Sequence, residues 1–98
     1  RFPDDDAAVY TVGQVAEMLT VQPAFLRRLD SERVVSPRRS AGGQRRYSRH
    51  EIQHIDAIII LLADGVTLAG AKRILQLQGE VDALRQQLDD RDAAAPDT

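Results

Sequence analysis

The chain contains no cysteine in its 98 residues. That absence removes disulfides, thiolate metal sites and cysteine nucleophiles together. Long apolar runs are missing too. The longest, AIIILLA at 57–63, is far too short to cross a bilayer. The N-terminal RFPDDDAAVY is acidic where a secretory leader would be basic and then apolar. These features lead to the expectation of a cytoplasmic, nucleoid-associated location. Signatures of catalysis are also scarce. AGGQ at 41–44 lacks both the lysine and the strand-then-helix context of a phosphate loop, and the serines have no evident histidine–carboxylate partners. His50 and His54 stand four apart, a metal-ligand spacing, but no third ligand is evident. They read as solvated surface histidines, so neither an enzyme nor a metal or other cofactor is expected.

What is present is a segregation of charge. The net charge of the whole chain is −2. Between Gln22 and Arg49, however, eight arginines face only Asp30 and Glu32, a local balance of +6 that leaves −8 on the remaining residues. Lysine is absent from this segment. Arginine offers a planar fork of donors suited to phosphates and guanine edges, and a local positive field survives an acidic total. The asymmetry points to nucleic acid as partner. Within it, SPRRSAGGQRRYSRHE at 36–51 concentrates five of the arginines around two adjacent glycines.

The hydrophobic spacing supplies a frame for these charges. Residues 1–9 read as a disordered tail, with three aspartates after a proline. Thr11 and Gln14 have the spacing of a capping box. Val12, Val15, Ala16 and Leu19 then form one helical face. After a tight turn, Pro23 suits the first position of a second helix. That helix, PAFLRRLDSE, turns Leu26 and Leu29 inward with Phe25 at their edge, and Arg27 and Arg28 outward. Together the two helices make a helix-turn-helix. VVSP and QRRY flank a glycine-containing loop and read as a β-hairpin. Ser48 and Glu51 repeat the capping box, so a helix runs from Arg49 to Asp64 with Gly65 as its stop. Its apolar positions Ile52, Ile55, Ile59 and Leu62 are widened by Ile58 and Leu61, a face broad enough for two contacts. Thr67 caps a further helix. From Leu77 the spacing changes to Leu77, Val81, Leu84 and Leu88, a short coiled-coil seam interrupted by Gly79. So small a chain buries a modest share of its surface, and a dimer would help it. Ile58, Leu61, Leu77, Val81, Leu84 and Leu88 are therefore the candidate dimer contacts. A frayed tail is expected over 93–98.

This order of elements, and the residues YTVGQVAEMLTVQPAFLRRLDSERVVSPRRSAGGQRRYSRHEI, resemble the MerR family of transcription regulators. The family's pattern has an N-terminal helix, LRxYE, GLxxPxR, a glycine-containing wing and RxY before the next helix. VTLAGAKRILQLQGEVDAL is similar to the HspR heat-shock repressor group, where LAGIKRI precedes the dimer helix. The resemblance implies a recognition helix over residues 22–30, with Arg27 at the arginine of LRxYE, and Arg28 and Leu29 where two aromatics usually stand. It implies that Arg38, Arg39, Arg45 and Tyr47 hold DNA backbone, while Gln44 replaces a frequent aromatic. It further implies repression of chaperone genes with DnaK as corepressor. The chain ends where typical members begin an effector-binding domain, so no such domain is expected.

The fold expected is mainly α: a winged helix-turn-helix with a two-stranded wing hairpin over residues 10–76 and a C-terminal dimerisation coiled-coil helix over 77–92. The function expected is a sequence-specific repressor binding an inverted-repeat operator in double-stranded DNA as a homodimer. The candidate DNA contacts are Thr11, Gln22, Ala24, Arg27, Arg28, Arg38, Arg39, Gln44, Arg45, Arg46 and Tyr47. Two alternatives are an architectural DNA-bending factor of the excisionase kind and a coiled-coil adaptor for protein partners.

Overall fold

In the computed structural model, residues 6–94 are described. The expected terminal tails fall partly outside that range, at 1–5 and 95–98. Inside it the order reaches further than expected: the Val9 amide donates to the Tyr47 carbonyl at 3.1 Å, and the last helix continues to Ala94.

The helix-turn-helix consists of α1 (Val12–Leu19) and α2 (Pro23–Ser31). Both halves of the Thr11–Gln14 capping box form. The Gln14 amide donates to Thr11 Oγ1 at 3.1 Å, and the Thr11 amide to Gln14 Oε1 at 2.9 Å. The helix ends because Thr20 adopts the left-handed region at φ 56°, letting the Val21 amide return to the Ala16 carbonyl at 3.0 Å. Gln22 gives α2 no side-chain cap, and Pro23 begins it instead.

The wing is β2 (Arg38–Arg39) and β3 (Arg45–Tyr47), antiparallel, with Arg38 opposite Arg46 and Arg39 opposite Arg45. Its tip closes through Ser40 N–H to the Gln44 carbonyl at 2.7 Å, and Gly43 sits at φ +81°, where a side chain would be strained. The sheet has three strands rather than the expected two. The extended pair Tyr10–Thr11 (β1) covers the other edge of β3, Tyr10 opposite Tyr47, in the order β1-β3-β2. A lone two-stranded ribbon leaves both edges unpaired, and the residues leading into the α1 cap are already extended and close one of them.

The second capping box, Ser48–Glu51, starts α3 (Arg49–Ala63). Gly65, at φ +90°, ends it: the Gly65 amide reaches the Leu62 carbonyl (3.1 Å) and the Val66 amide that of Leu61 (3.0 Å), the two bonds of a Schellman motif. Thr67 Oγ1 then accepts from the Gly70 amide at 3.0 Å at the start of α4 (Leu68–Ala94). This helix crosses residues 76–77, where the spacing changes, without a break.

The core gathers Val15, Leu26, Leu29, Val35, Tyr47, Ile55, Ile58 and Ala71 from every layer. Ile58 is fully buried within this chain. It is therefore a core residue and not the dimer contact expected of it, because α3 turns Ile55 and Ile58 to the same inward side, three residues apart. Leu61 is half-buried against the core. Ile60 and Ile74 instead stand exposed, and α3 and α4 leave between them an open apolar groove lined by Ala57, Ile60, Leu61, Ile74 and Leu75. Beyond it Leu77, Val81, Leu84 and Leu88 remain exposed along α4. The projecting helix stretches the molecule to 57 × 35 × 20 Å.

Candidate nucleic-acid interface

The N-terminus of α1, the outward face of α2 and the wing converge on one open groove of about 440 Å³. Thr11, Arg27, Arg39, Gln44, Arg45 and Arg46, six of the candidate DNA contacts, line it together with Val12, Gly13 and Gly43. The convergence follows from local geometry. The capping box fixes where α1 begins. The tight turn at Thr20 angles α2 across it, and pairing of β1 with β3 holds the wing against the same end of α1.

The arginines differ in how they are held. Arg27 is exposed and makes no ion pair among the described residues. Arg28 is tied to Glu32 at 2.6 Å along its own helix, on the solvent side. Arg38 is exposed on the outer strand. Arg46 donates to the Arg45 carbonyl at 3.1 Å and to Gln44 Oε1 at 3.4 Å. Arg39 and Arg45 share one acceptor, Asp30: Arg39 Nη2 donates to its Oδ2 at 3.0 Å and Arg45 Nε to the same oxygen at 2.7 Å. Asp30 was not among the candidate residues. The signal for it was present, since it is one of only two acids among eight arginines and lies three residues beyond Arg27 on the helix.

Five candidates lie outside the groove lining: Arg28 and Arg38, described above, and Gln22, Ala24 and Tyr47. Gln22 and Ala24, both exposed, are absent from the groove lining. Gln22 instead borders a separate apolar hollow with Val21, Phe25, Ile59 and Leu62. Tyr47 is corrected outright as a side-chain contact. It is 1% exposed, and its hydroxyl is buried without a hydrogen-bond partner among the described residues. Alternation along β3 turns Arg46 out and Tyr47 in. Burial pushes its phenol above the ordinary value; Asp30 and Glu51 act in the same direction, and Arg45 and Arg39 oppose it.

His50-Glu51-Ile52-Gln53-His54 spells the HExxH pattern of zinc metalloproteases. Here it serves the helix start. Glu51 Oε1 accepts from the Ser48 amide at 2.9 Å, which commits the carboxylate a protease would use as base. The two imidazoles meet edge to face, 4.3 Å between centroids. Partial burial, and then the neighbouring His50, hold His54 below its ordinary value. Among the described residues no three histidine or carboxylate side chains are placed to hold a metal ion.

Comparison with known proteins agrees with this geometry. Residues 10–78 match the MerR HTH family regulatory protein profile. A protein of Streptomyces coelicolor named for the heat shock protein HspR is 38% identical over 82 residues, 83% of this chain and 54% of that protein. The chain thus spans about half the length of this curated relative. Among solved structures, HiNmlR, a MerR family regulator lacking the sensor domain and bound to promoter DNA, superposes with a TM-score of 0.68 at 23% identity, covering 86% of this chain and 65% of that one. A MerR family transcriptional regulator from Bacillus thuringiensis gives 0.65 at 24% identity, covering 87% and 78%. The order of elements, the winged groove and the match over residues 10–78 together establish that the chain belongs to the MerR helix-turn-helix family of regulatory proteins.

Proposed function

We propose that this chain is a transcriptional repressor that binds double-stranded DNA as a homodimer. The observation that carries the reading is the groove in which the α1 N-terminus, Arg27 of α2 and the wing residues Arg39, Gln44, Arg45 and Arg46 meet. A groove of this kind suits a duplex: α2 enters the major groove, and the wing lies along the flanking backbone or minor groove. Arg27 reads base edges. The wing arginines position the protein on phosphates, with Arg38 and Arg28 at the periphery.

The dimer is supported by a continuous exposed apolar surface. Ile60 and Ile74 beside the α3–α4 groove lead into Leu77, Val81, Leu84 and Leu88, all solvent-facing in a single chain. Exposed apolar stripes of this extent call for a partner. A second copy brings a second recognition helix at fixed separation, which makes the operator an inverted repeat. A relative is named for the heat shock protein HspR, and the resemblance to that group implies repression of chaperone genes with a chaperone such as DnaK as corepressor.

The test is selection of bound duplexes from a random pool, with light scattering on the free protein. The reading expects an inverted-repeat consensus and a stable dimer. A uniform coating of tandem sites would favour an architectural DNA-bending factor. A monomer that retains no DNA would favour a protein adaptor. Either result would overturn the repressor.

A further inference from the structure

We infer that Asp30 is a positioning residue for DNA recognition, an internal phosphate mimic that holds the wing arginines in register with the recognition helix. The inference rests on the reading of the groove as a DNA interface. Arg39 and Arg45 stand directly opposite each other on β2 and β3. Like charges so placed repel and would splay the two strands or send the long side chains apart into solvent. Asp30 Oδ2 lies between them, 3.0 Å from Arg39 Nη2 and 2.7 Å from Arg45 Nε, with its side chain only 15% exposed.

Three consequences follow. The carboxylate belongs to the last turn of α2, so the contact joins both strands of the wing to the helix that carries Arg27, one turn back on the same side. It occupies only one nitrogen of each guanidinium. The two Nη groups of Arg45 stay available, while Arg39 Nη1 reaches the Gly43 carbonyl at the wing tip at 3.4 Å. One negative charge against two positive ones also leaves a surplus of +1, so the cluster still attracts phosphate while its geometry is set beforehand. Asp30 thereby lowers affinity for an arbitrary polyanion and raises discrimination, because the wing can follow only a backbone whose path fits the pinned arrangement.

The test compares wild type, Asp30→Asn and Asp30→Glu on two duplexes of equal length, one selected by the protein from a random pool and one scrambled, across a salt series. Asn removes the charge and keeps the shape, freeing about one more positive charge for phosphates. For the scrambled duplex, log affinity against log salt should steepen by about one unit, so that the gain over wild type is about 3.5-fold larger at 50 mM than at 200 mM salt. The ratio of selected to scrambled affinity should fall roughly ten-fold, the worth of one well-placed base contact. Glu keeps the charge, and should keep the wild-type slope and recover most of the ratio.

The Arg45 Nε–H resonance of the free protein supplies an independent readout: slowly exchanging in wild type, fast in Asn. An Asn variant with unchanged slope and ratio overturns the inference. So does one that loses both duplexes in parallel with a lowered Tm, or a Glu variant that behaves like Asn. Wild type that retains neither duplex overturns the DNA reading and this inference together, whereas failure of the Asn arm alone leaves the DNA reading standing.

Discussion

Replacing Tyr47 by Phe should stabilise the protein and leave DNA binding unchanged. The ring is 1% exposed and packs in the core, so Phe preserves the buried apolar surface. What it removes is a hydroxyl that finds no hydrogen-bond partner among the described residues. A buried, unpartnered polar group costs about 1–3 kcal/mol of desolvation. Relief of the lower part of that range, about 1 kcal/mol, raises Tm by roughly 4–8 °C in a domain of this size. A second signature comes from alkaline pH. Burial raises the phenol above its ordinary value of 10.0 in the folded chain. As pH climbs past 10 the unfolded state therefore releases this proton first, and stability falls with pH until the folded phenol also ionises. At most one proton is involved, so the wild-type slope exceeds that of the variant by no more than about 1.4 kcal/mol per pH unit. Urea unfolding of both proteins between pH 7 and 11 measures each effect, and a DNA titration at pH 7.5 measures the third. A variant that is less stable by 1 kcal/mol or more, with weakened DNA binding, would refute the reasoning, since it would mean the hydroxyl holds a partner or a phosphate.

Three further outcomes follow from the same structure. Leu84→Glu combined with Leu88→Glu places charge on the exposed seam without touching the core; light scattering should read a monomer, and affinity for a selected duplex should drop by at least about 100-fold, since one half-site is lost. Gly65→Ala meets no atom within 4 Å, so its cost is that of φ +90° alone, about 1–2 kcal/mol in urea unfolding, with dimerisation unaffected. His54 is held below its ordinary value of 6.5, so the unfolded state protonates first as pH falls past 6.5 and stability declines until the folded imidazole also titrates. His54→Gln should flatten that acid-side slope in urea unfolding between pH 7 and 5, and an unchanged slope would assign it to other groups.

The parts of the fold governed by near neighbours in the chain were legible. Both capping boxes, the proline at the start of α2, the glycine stop of α3 and the threonine cap of α4 are each fixed by residues within about one turn, and each forms where the spacing places it. The third strand was not legible, because Tyr10–Thr11, although of strand-favouring residue types, is too short to show a period of two and runs straight into the α1 cap. It exists only because β3, thirty-odd residues later, presents an open edge. Ile58 was misassigned for a related reason. A helix face as wide as that of α3 must divide between core and surface, and only tertiary packing decides the division: Ile58 joins the core cluster that also holds Leu68 and Ala71 of α4, while Ile60 stays exposed. Tyr47 carries its DNA reading from the resemblance, whereas the period of two along β3, with half-buried Arg46 beside it, places its side chain in the core.

The site shows the same division, and it bears on how charge should be read from a sequence. Counting arginines pointed to the segments that supply most of the groove lining, because arginine outnumbers acid there eight to two. It could not rank them, since rank depends on which guanidinium has already met a carboxylate. Asp30 and Glu32 both count as −1 in the sum, yet Glu32 pairs with Arg28 on the solvent side, two long side chains held in water at a worth of about 0–1 kcal/mol. Asp30, its own side chain only 15% exposed, draws in two arginines from another layer, Arg45 mostly covered and Arg39 still half-exposed. The minority charge in a patch is thus more informative than the majority. Its position decides which of the surrounding cations are already oriented, here Arg39 and Arg45, and which stand without an ion pair among the described residues, here Arg27.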